Sequence, residues 1–178
     1  MATADEVLIA QFQAGRREAF DEIFERYRQP IWGFFRRRLA DPEQARELAQ
    51  DTFLAVVENA ARYEPRASFR SYLFGIAYHV LSEARRRAVR EAGRTTTAPE
   101  PMAPDIDPTS VIWVRDAMAD LDERDREVLM LREFESLSYE EIATVTGVPQ
   151  NTVRSRLFRA RLALRERLVG SPEAGARR

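Results

Sequence analysis

The 178-residue sequence has no cysteine, a single histidine, and no lysine among its 28 basic residues. Without cysteine there are no disulfides and no thiolate metal sites, and one histidine rules out a multi-histidine zinc centre. His79 and Glu83 lie four apart on one predicted helix face, a metal-compatible spacing. No second histidine or cysteine exists to complete such a site, so the pair reads as solvated or hydrogen-bonded, and no cofactor or metal is expected. An arginine-only basic set is the mark of a GC-rich coding sequence and carries no mechanism. Only seven glycines are present, and none forms a phosphate-cradling loop. No segment approaches the roughly 18 uninterrupted apolar residues of a membrane span, and the start, MATADEVLIAQFQAG, lacks a basic leader. These absences predict a cytoplasmic protein with no membrane insertion. Strand-like alternation and internal repeats are also missing, which makes the expected fold class all-α.

What is present is an uneven distribution of charge. The formal net charge is −1, yet residues 150–168 carry six arginines and one acid, whereas residues 100–141 carry thirteen acids and four arginines. The basic segment lies within SYEEIATVTGVPQNTVRSRLFRARLALRERL, residues 138–168. Ser138 followed by Glu141 is the pattern of a capping box, Gly147 is a natural left-handed helix end, and Pro149 suits the first turn of another helix. Two helices around a tight glycine turn make a helix-turn-helix. At about 100° per residue, Val153, Leu157, Ala160, Leu164 and Leu168 form the buried stripe of its second helix. Arg154, Ser155, Arg156, Phe158 and Arg159 fall on or beside the opposite face. An Arg-rich face with a hydroxyl and an outward aromatic fits a DNA major groove; the plain alternative is a solvated helix face.

Taken in order, residues 4–14 predict a first helix stopped by Gly15. A second, about 17–39, has the stripe Phe20, Ile23, Phe24, Tyr27, Ile31, Phe34 and Phe35, with Pro30 implying either a kink or two pieces. Asp41-Pro42-Glu43-Gln44 starts a third, to about Ala61. The polar loop 62–68 leads to Ser68, the cap of a fourth helix running to about Arg87. Its stripe is Phe69, Leu73, Ile76, Ala77, Val80 and Ala84; Tyr72 and His79 lie on one edge, Phe74 and Tyr78 on another. Residues 88–110 hold four of the nine prolines and few large apolar groups, the composition of a flexible linker. Further helices are expected over 109–121 and from Asp122 to about Glu135. The implied domains are 1–87 and 111–170, joined by the linker 88–110 and followed by a tail, 171–178, with the halves moving independently.

Aromatics interleaved with arginine around the 62–68 loop, namely Arg62, Tyr63, Arg66, Phe69, Arg70, Tyr72 and His79, offer rings for unstacked bases and guanidiniums for a backbone. Equally, such rings can edge a helical core.

Two segments together resemble the extracytoplasmic-function sigma factors, the smallest bacterial transcription initiation factors. AFDEIFERYRQPIWGFF (19–35) with ARELAQDTFLAVVENAARYEPRASFRSYLFGIAYHVLSEARRR (45–87) looks like sigma domain two. DERDREVLMLREFESLSYEEIATVTGVPQNTVRSRLFRARLALRERL (122–168) looks like sigma domain four. The resemblance implies that the first half binds core RNA polymerase and melts the minus-ten promoter element, while the second binds the minus-thirty-five element. It places polymerase binding on Glu47, Gln50 and Asp51, where the commoner pattern is Asp, Gln, Glu. It places the minus-ten pocket on the loop 62–68 with Tyr72 and His79, where asparagine is commoner than histidine, and the groove face on Arg154, Ser155, Phe158 and Arg159. Promoter DNA, core polymerase and an anti-sigma factor are the implied partners.

Other classes are a conventional helix-turn-helix regulator with an N-terminal dimerisation or sensing half, and a helical enzyme. The acidic patch and the aromatic-arginine loop favour the first reading over the regulator. No nucleophile-base pair supports an enzyme.

Overall fold

The structure, a computed structural model, describes residues 3–65, 67–92 and 112–170. These form α1 (Asp5–Gln13), α2 (Arg17–Arg36), α3 (Pro42–Asn59), a 3-10 turn (Ala60–Arg62), α4 (Phe69–Ala92), α5 (Ile112–Ala119), α6 (Glu123–Glu133), α7 (Tyr139–Thr146) and α8 (Gln150–Gly170). No strand occurs among the described residues.

Local chemistry sets the helix ends. Asp41 accepts from the Glu43 backbone N–H at 2.9 Å, and Asp122 from those of Arg124 and Asp125. Ser68 Oγ accepts from the Ser71 N–H at 3.1 Å, while Glu6 Oε1 reaches over from α1 to take the Phe69 N–H at 3.0 Å. Each cap satisfies a donor that the helix itself cannot use. Gly15 (φ 93°) and Gly147 (φ 68°) occupy the left-handed region at the ends of α1 and α7, as their positions predict. Pro30 does not divide α2: the helix is one piece from Arg17 to Arg36, with the ring on its exposed side.

Helices α1 to α4 pack into one bundle and α5, α6 and α7 gather around α8. Most predicted stripe residues are core, including Ile23, Ile31, Phe34, Leu73, Val153, Leu157 and Ala160. Phe24, placed on the α2 stripe from spacing, is instead 39% exposed. Phe74, placed on an outer edge of α4, is fully buried, with its ring 6.0 Å from that of Phe34 and the Arg70 guanidinium 5.6 Å above it. The reason is that α4 packs on α2 and α3 from one side and on α7 from the other, which widens its buried arc beyond a single stripe.

Helix α4 continues through residues 88–92, the first part of the expected linker, and residues 93–110 lie outside the described set. The two halves meet along α4 and α7, and their buried residues join one apolar cluster. Charged groups line this seam. Arg38 donates to Glu127 at 2.8 Å and to Glu135 at 3.0 Å, Arg37 donates to Glu135 at 2.8 Å, and Arg70 donates to the Glu135 carbonyl. Ser68 donates to Glu141 at 2.7 Å.

Candidate functional site

The groove face is built by the α7–α8 turn. Ser138 and Glu141 form the reciprocal capping box expected of them: Glu141 N–H to Ser138 Oγ at 3.2 Å, and Ser138 N–H to Glu141 Oε2 at 2.8 Å. Burial alone would raise the Glu141 pKa, but hydrogen bonds from Ser138 and Ser68 outweigh it and hold the carboxyl below the usual range. With Val153, Leu157 and Ala160 seated in the core, Arg154, Ser155, Phe158 and Arg159 face outward, and Phe158 is 69% exposed. Arg156 is half-buried. A groove of about 440 Å³ runs beside Phe158 and Leu162, rimmed by Arg154, Arg161 and Arg165.

Two of these cations are held by acids that spacing did not single out. Arg159 Nε and Nη2 donate to the two Asp125 carboxylate oxygens at 2.8 and 2.7 Å, and Arg161 Nη2 donates to Glu133 at 2.9 Å. These bonds raise both arginine pKa values further. Asp125 and Glu133 lie on α6, which packs across α8. Nothing in the local sequence of α8 points to them.

The second region centres on the loop after α3. Gln13 Nε2 fastens it from α1, donating to the Ala60 and Tyr63 carbonyls at 2.8 and 2.9 Å. The rings of Tyr63 and Tyr72 lie 4.7 Å apart, so the loop does meet the Tyr72 edge of α4. Burial pushes both phenol pKa values up, leaving neutral hydroxyls. His79 is exposed further along α4, and Arg62 is exposed at the loop start. Three of the expected base-facing residues stand differently. Phe69 is fully buried among Tyr27, Tyr63 and Tyr72, so its ring offers no face to a base. Tyr63 is buried too, its outer face covered by Tyr72. Arg70 is turned into the seam with α7 by the Glu135 carbonyl and the Phe74 ring. Arg66 lies outside the described residues.

The third region is the outer face of α3, where Glu47, Gln50 and Asp51 are all exposed. Beside Gln50 runs an apolar groove of about 330 Å³, lined by Phe24, Trp32 and Phe53 among others. Leu54, 60% exposed, and Val57 continue the apolar surface along α3. Acidic and apolar groups side by side on a helix pair suit a protein partner. Spacing singled out no groove here, although Trp32, a large ring lying off the α2 stripe, could have marked it. Among the described residues no three metal-ligating side chains cluster, and no helix is long and apolar enough to cross a membrane.

Comparison with known proteins bears on the whole chain. Residues 23–91 match the family profile described as Sigma-70 region 2, and residues 112–164 match Sigma-70, region 4. The chain is 32% identical over 166 residues to RNA polymerase sigma factor YlaC of Bacillus subtilis, covering 88% of this chain and 96% of that one. It is 34% identical to sigma factor CarQ of Myxococcus xanthus, covering 92% and 96%. It is 35% identical to the ECF sigma factor SigC of Mycobacterium tuberculosis, covering 84% and 83%. Among solved structures it resembles CnrH in complex with the cytosolic domain of CnrY, at 26% identity and TM-score 0.68, covering 95% of this chain and all of that one. The fold also matches the sigma factor RpoE of Bartonella quintana, solved with the anti-sigma factor NepR, at 22% identity and TM-score 0.74, covering 85% and 98%. With both regions in order and near full-length similarity to several members, the chain belongs to the extracytoplasmic-function sigma factor family.

Proposed function

We propose that this sigma factor works as a two-part promoter reader with no catalytic step of its own, acting in the cytoplasm on core RNA polymerase. The observation that carries the assignment is that three different parts of the fold, the outer face of α3, the loop with the α4 edge, and the outer face of α8, each present exposed residues of the chemistry their partner needs. An exposed acidic patch, Glu47, Gln50 and Asp51, adjoins the apolar Phe24/Trp32 groove and serves as the polymerase contact. The edge formed by Arg62, Tyr72 and His79 serves minus-ten capture, a role the sequence also assigns to Arg66, outside the described residues. Arg154, Ser155, Phe158 and Arg159 serve minus-thirty-five reading, with Arg156 as a flanking cation.

Residues 1–87 and 111–170 act as the two functional units. Their packed arrangement supports an added step: Ser68, at the end of the minus-ten loop, is tied to Glu141 of the helix-turn-helix, so DNA engagement by both units requires the seam to part. The similarity to sigma factors solved with an anti-sigma factor or with CnrY supports a protein inhibitor as a further partner. Run-off transcription with purified core polymerase from DNA upstream of the factor's own gene tests the reading. Promoter-dependent transcripts are expected. DNA binding and regulation without any association with core polymerase would instead support a conventional helix-turn-helix regulator.

A further inference from the structure

Arg159 projects from the groove face of α8, yet its guanidinium is not free to turn. Asp125, 6% exposed near the start of α6, takes Nε and one N–H of Nη2 in a bidentate pair at 2.8 and 2.7 Å. The Arg159 side chain itself remains 57% exposed. A guanidinium has five N–H donors in a rigid plane. With the Nε edge occupied, three remain, and the end-on edge, one N–H each from Nη1 and Nη2, points away from the carboxylate. Such an edge matches two acceptors side by side, as guanine presents with O6 and N7 in the major groove.

The pairing has an electrostatic consequence as well. An arginine neutralised by a buried carboxylate adds little net positive charge to the DNA-facing surface, so it contributes little to the salt-dependent attraction for phosphates. Holding the plane in place before DNA arrives also removes most of the ordering cost of a long side chain. Arg154, by contrast, carries no comparable acid partner among the pairs the structure describes, and Arg161 is held by an exposed glutamate through one nitrogen.

We propose that Asp125 is a specificity-determining positioning residue, which converts Arg159 from a phosphate-seeking cation into a preset reader of one guanine in the upstream promoter element. The proposal rests on the groove-reading role of Arg159 given above. It extends that role to a residue on a different helix that need not touch DNA.

The test is promoter binding by holoenzyme reconstituted with core polymerase, over DNA in which each upstream base pair is replaced in turn, at two salt concentrations. Asp125→Asn, Arg159→Ala and the double variant are compared with the unaltered protein. Asp125→Asn is expected to lower the preference for guanine at a single position by roughly 5- to 50-fold. It should also steepen the salt dependence, because the arginine charge is released toward phosphates. The double variant should lose no more preference than Arg159→Ala alone. Equal weakening on every sequence, as a merely structural role would produce, overturns the proposal. If Arg159→Ala loses the preference while Asp125→Asn keeps it, positioning by Asp125 fails and groove reading by Arg159 stands. If Arg159→Ala itself leaves every preference intact, the groove-reading assignment fails and the role of Asp125 with it. Asp125→Ser, which also removes the carboxylate, provides the same comparison should the asparagine variant fold poorly.

Discussion

Arg38 and Glu135, 97 positions apart in the chain, meet at 3.0 Å in a seam where their side chains are only 1% and 2% exposed. Glu135 also takes Arg37, and Arg38 also reaches Glu127, so four charges, two just past the end of α2 and two on or just past α6, form one largely buried network. Removing Glu135 leaves Arg37 without its carboxylate and Arg38 with Glu127 alone, a cost of about 3–5 kcal/mol if the site stays closed. Opening the seam rehydrates them instead. Glu135→Ala is therefore expected to separate the halves while each keeps its helices. Small-angle scattering should show a larger radius of gyration with unchanged helicity; an unchanged radius would mean that apolar packing across α4 and α7 holds the halves together without the ions.

The acidic patch on α3 is exposed, so charge reversal there leaves the core untouched. Glu47→Arg with Asp51→Arg should weaken association with core polymerase severely, measured by co-purification or competition, with an unaltered circular dichroism spectrum. Normal core binding by the folded double variant would refute the polymerase contact.

His79 is exposed on the α4 edge that carries Tyr72, and an imidazole ring presents its donor and acceptor differently from an amide. His79→Asn should reorder the preference among bases in the minus-ten element while leaving core binding alone. Transcription from templates carrying each of the four bases at every minus-ten position measures this, and an unaltered ranking would remove His79 from the pocket.

Arg156 flanks the groove face and differs from Arg159 in what its loss should do. Arg156→Ala is expected to weaken binding on intact and scrambled upstream elements alike and to lower the magnitude of the salt slope by about one. A loss confined to the intact element would move Arg156 into the base-reading set.

Glu141 links the capping box of α7 to Ser68 across the seam, and its carboxyl is held below its ordinary pKa. A carboxyl more acidic in the folded than in the unfolded state stabilises fully above the ordinary glutamate range, and this contribution fades as pH falls through the lowered value. Chemical denaturation of the unaltered protein and Glu141→Gln should differ at neutral pH and converge under acid. Parallel curves at all pH values would show that the carboxylate charge contributes nothing to the seam.

How much of this was legible in sequence depended on range. Asp41, Ser138 with Glu141, and Gly147 act within four residues of themselves, and the helix ends they predicted are those found. The outward set Arg154, Ser155, Phe158 and Arg159 was likewise legible, because helical periodicity fixes which side opposes a buried stripe. The buried state of Phe74 and Tyr63 and the exposure of Phe24 were not, since a periodic stripe says nothing about how many neighbours a helix will have. Nor were the partners of the arginines: Arg159 meets an acid 34 residues away and Arg38 meets acids 89 and 97 away. Caps, turns and amphipathic faces are short-range consequences of backbone hydrogen bonding and were determined by the sequence alone. Which cation is neutralised, which ring is covered and how the halves meet depend on which helix packs opposite, and only the tertiary structure decided them.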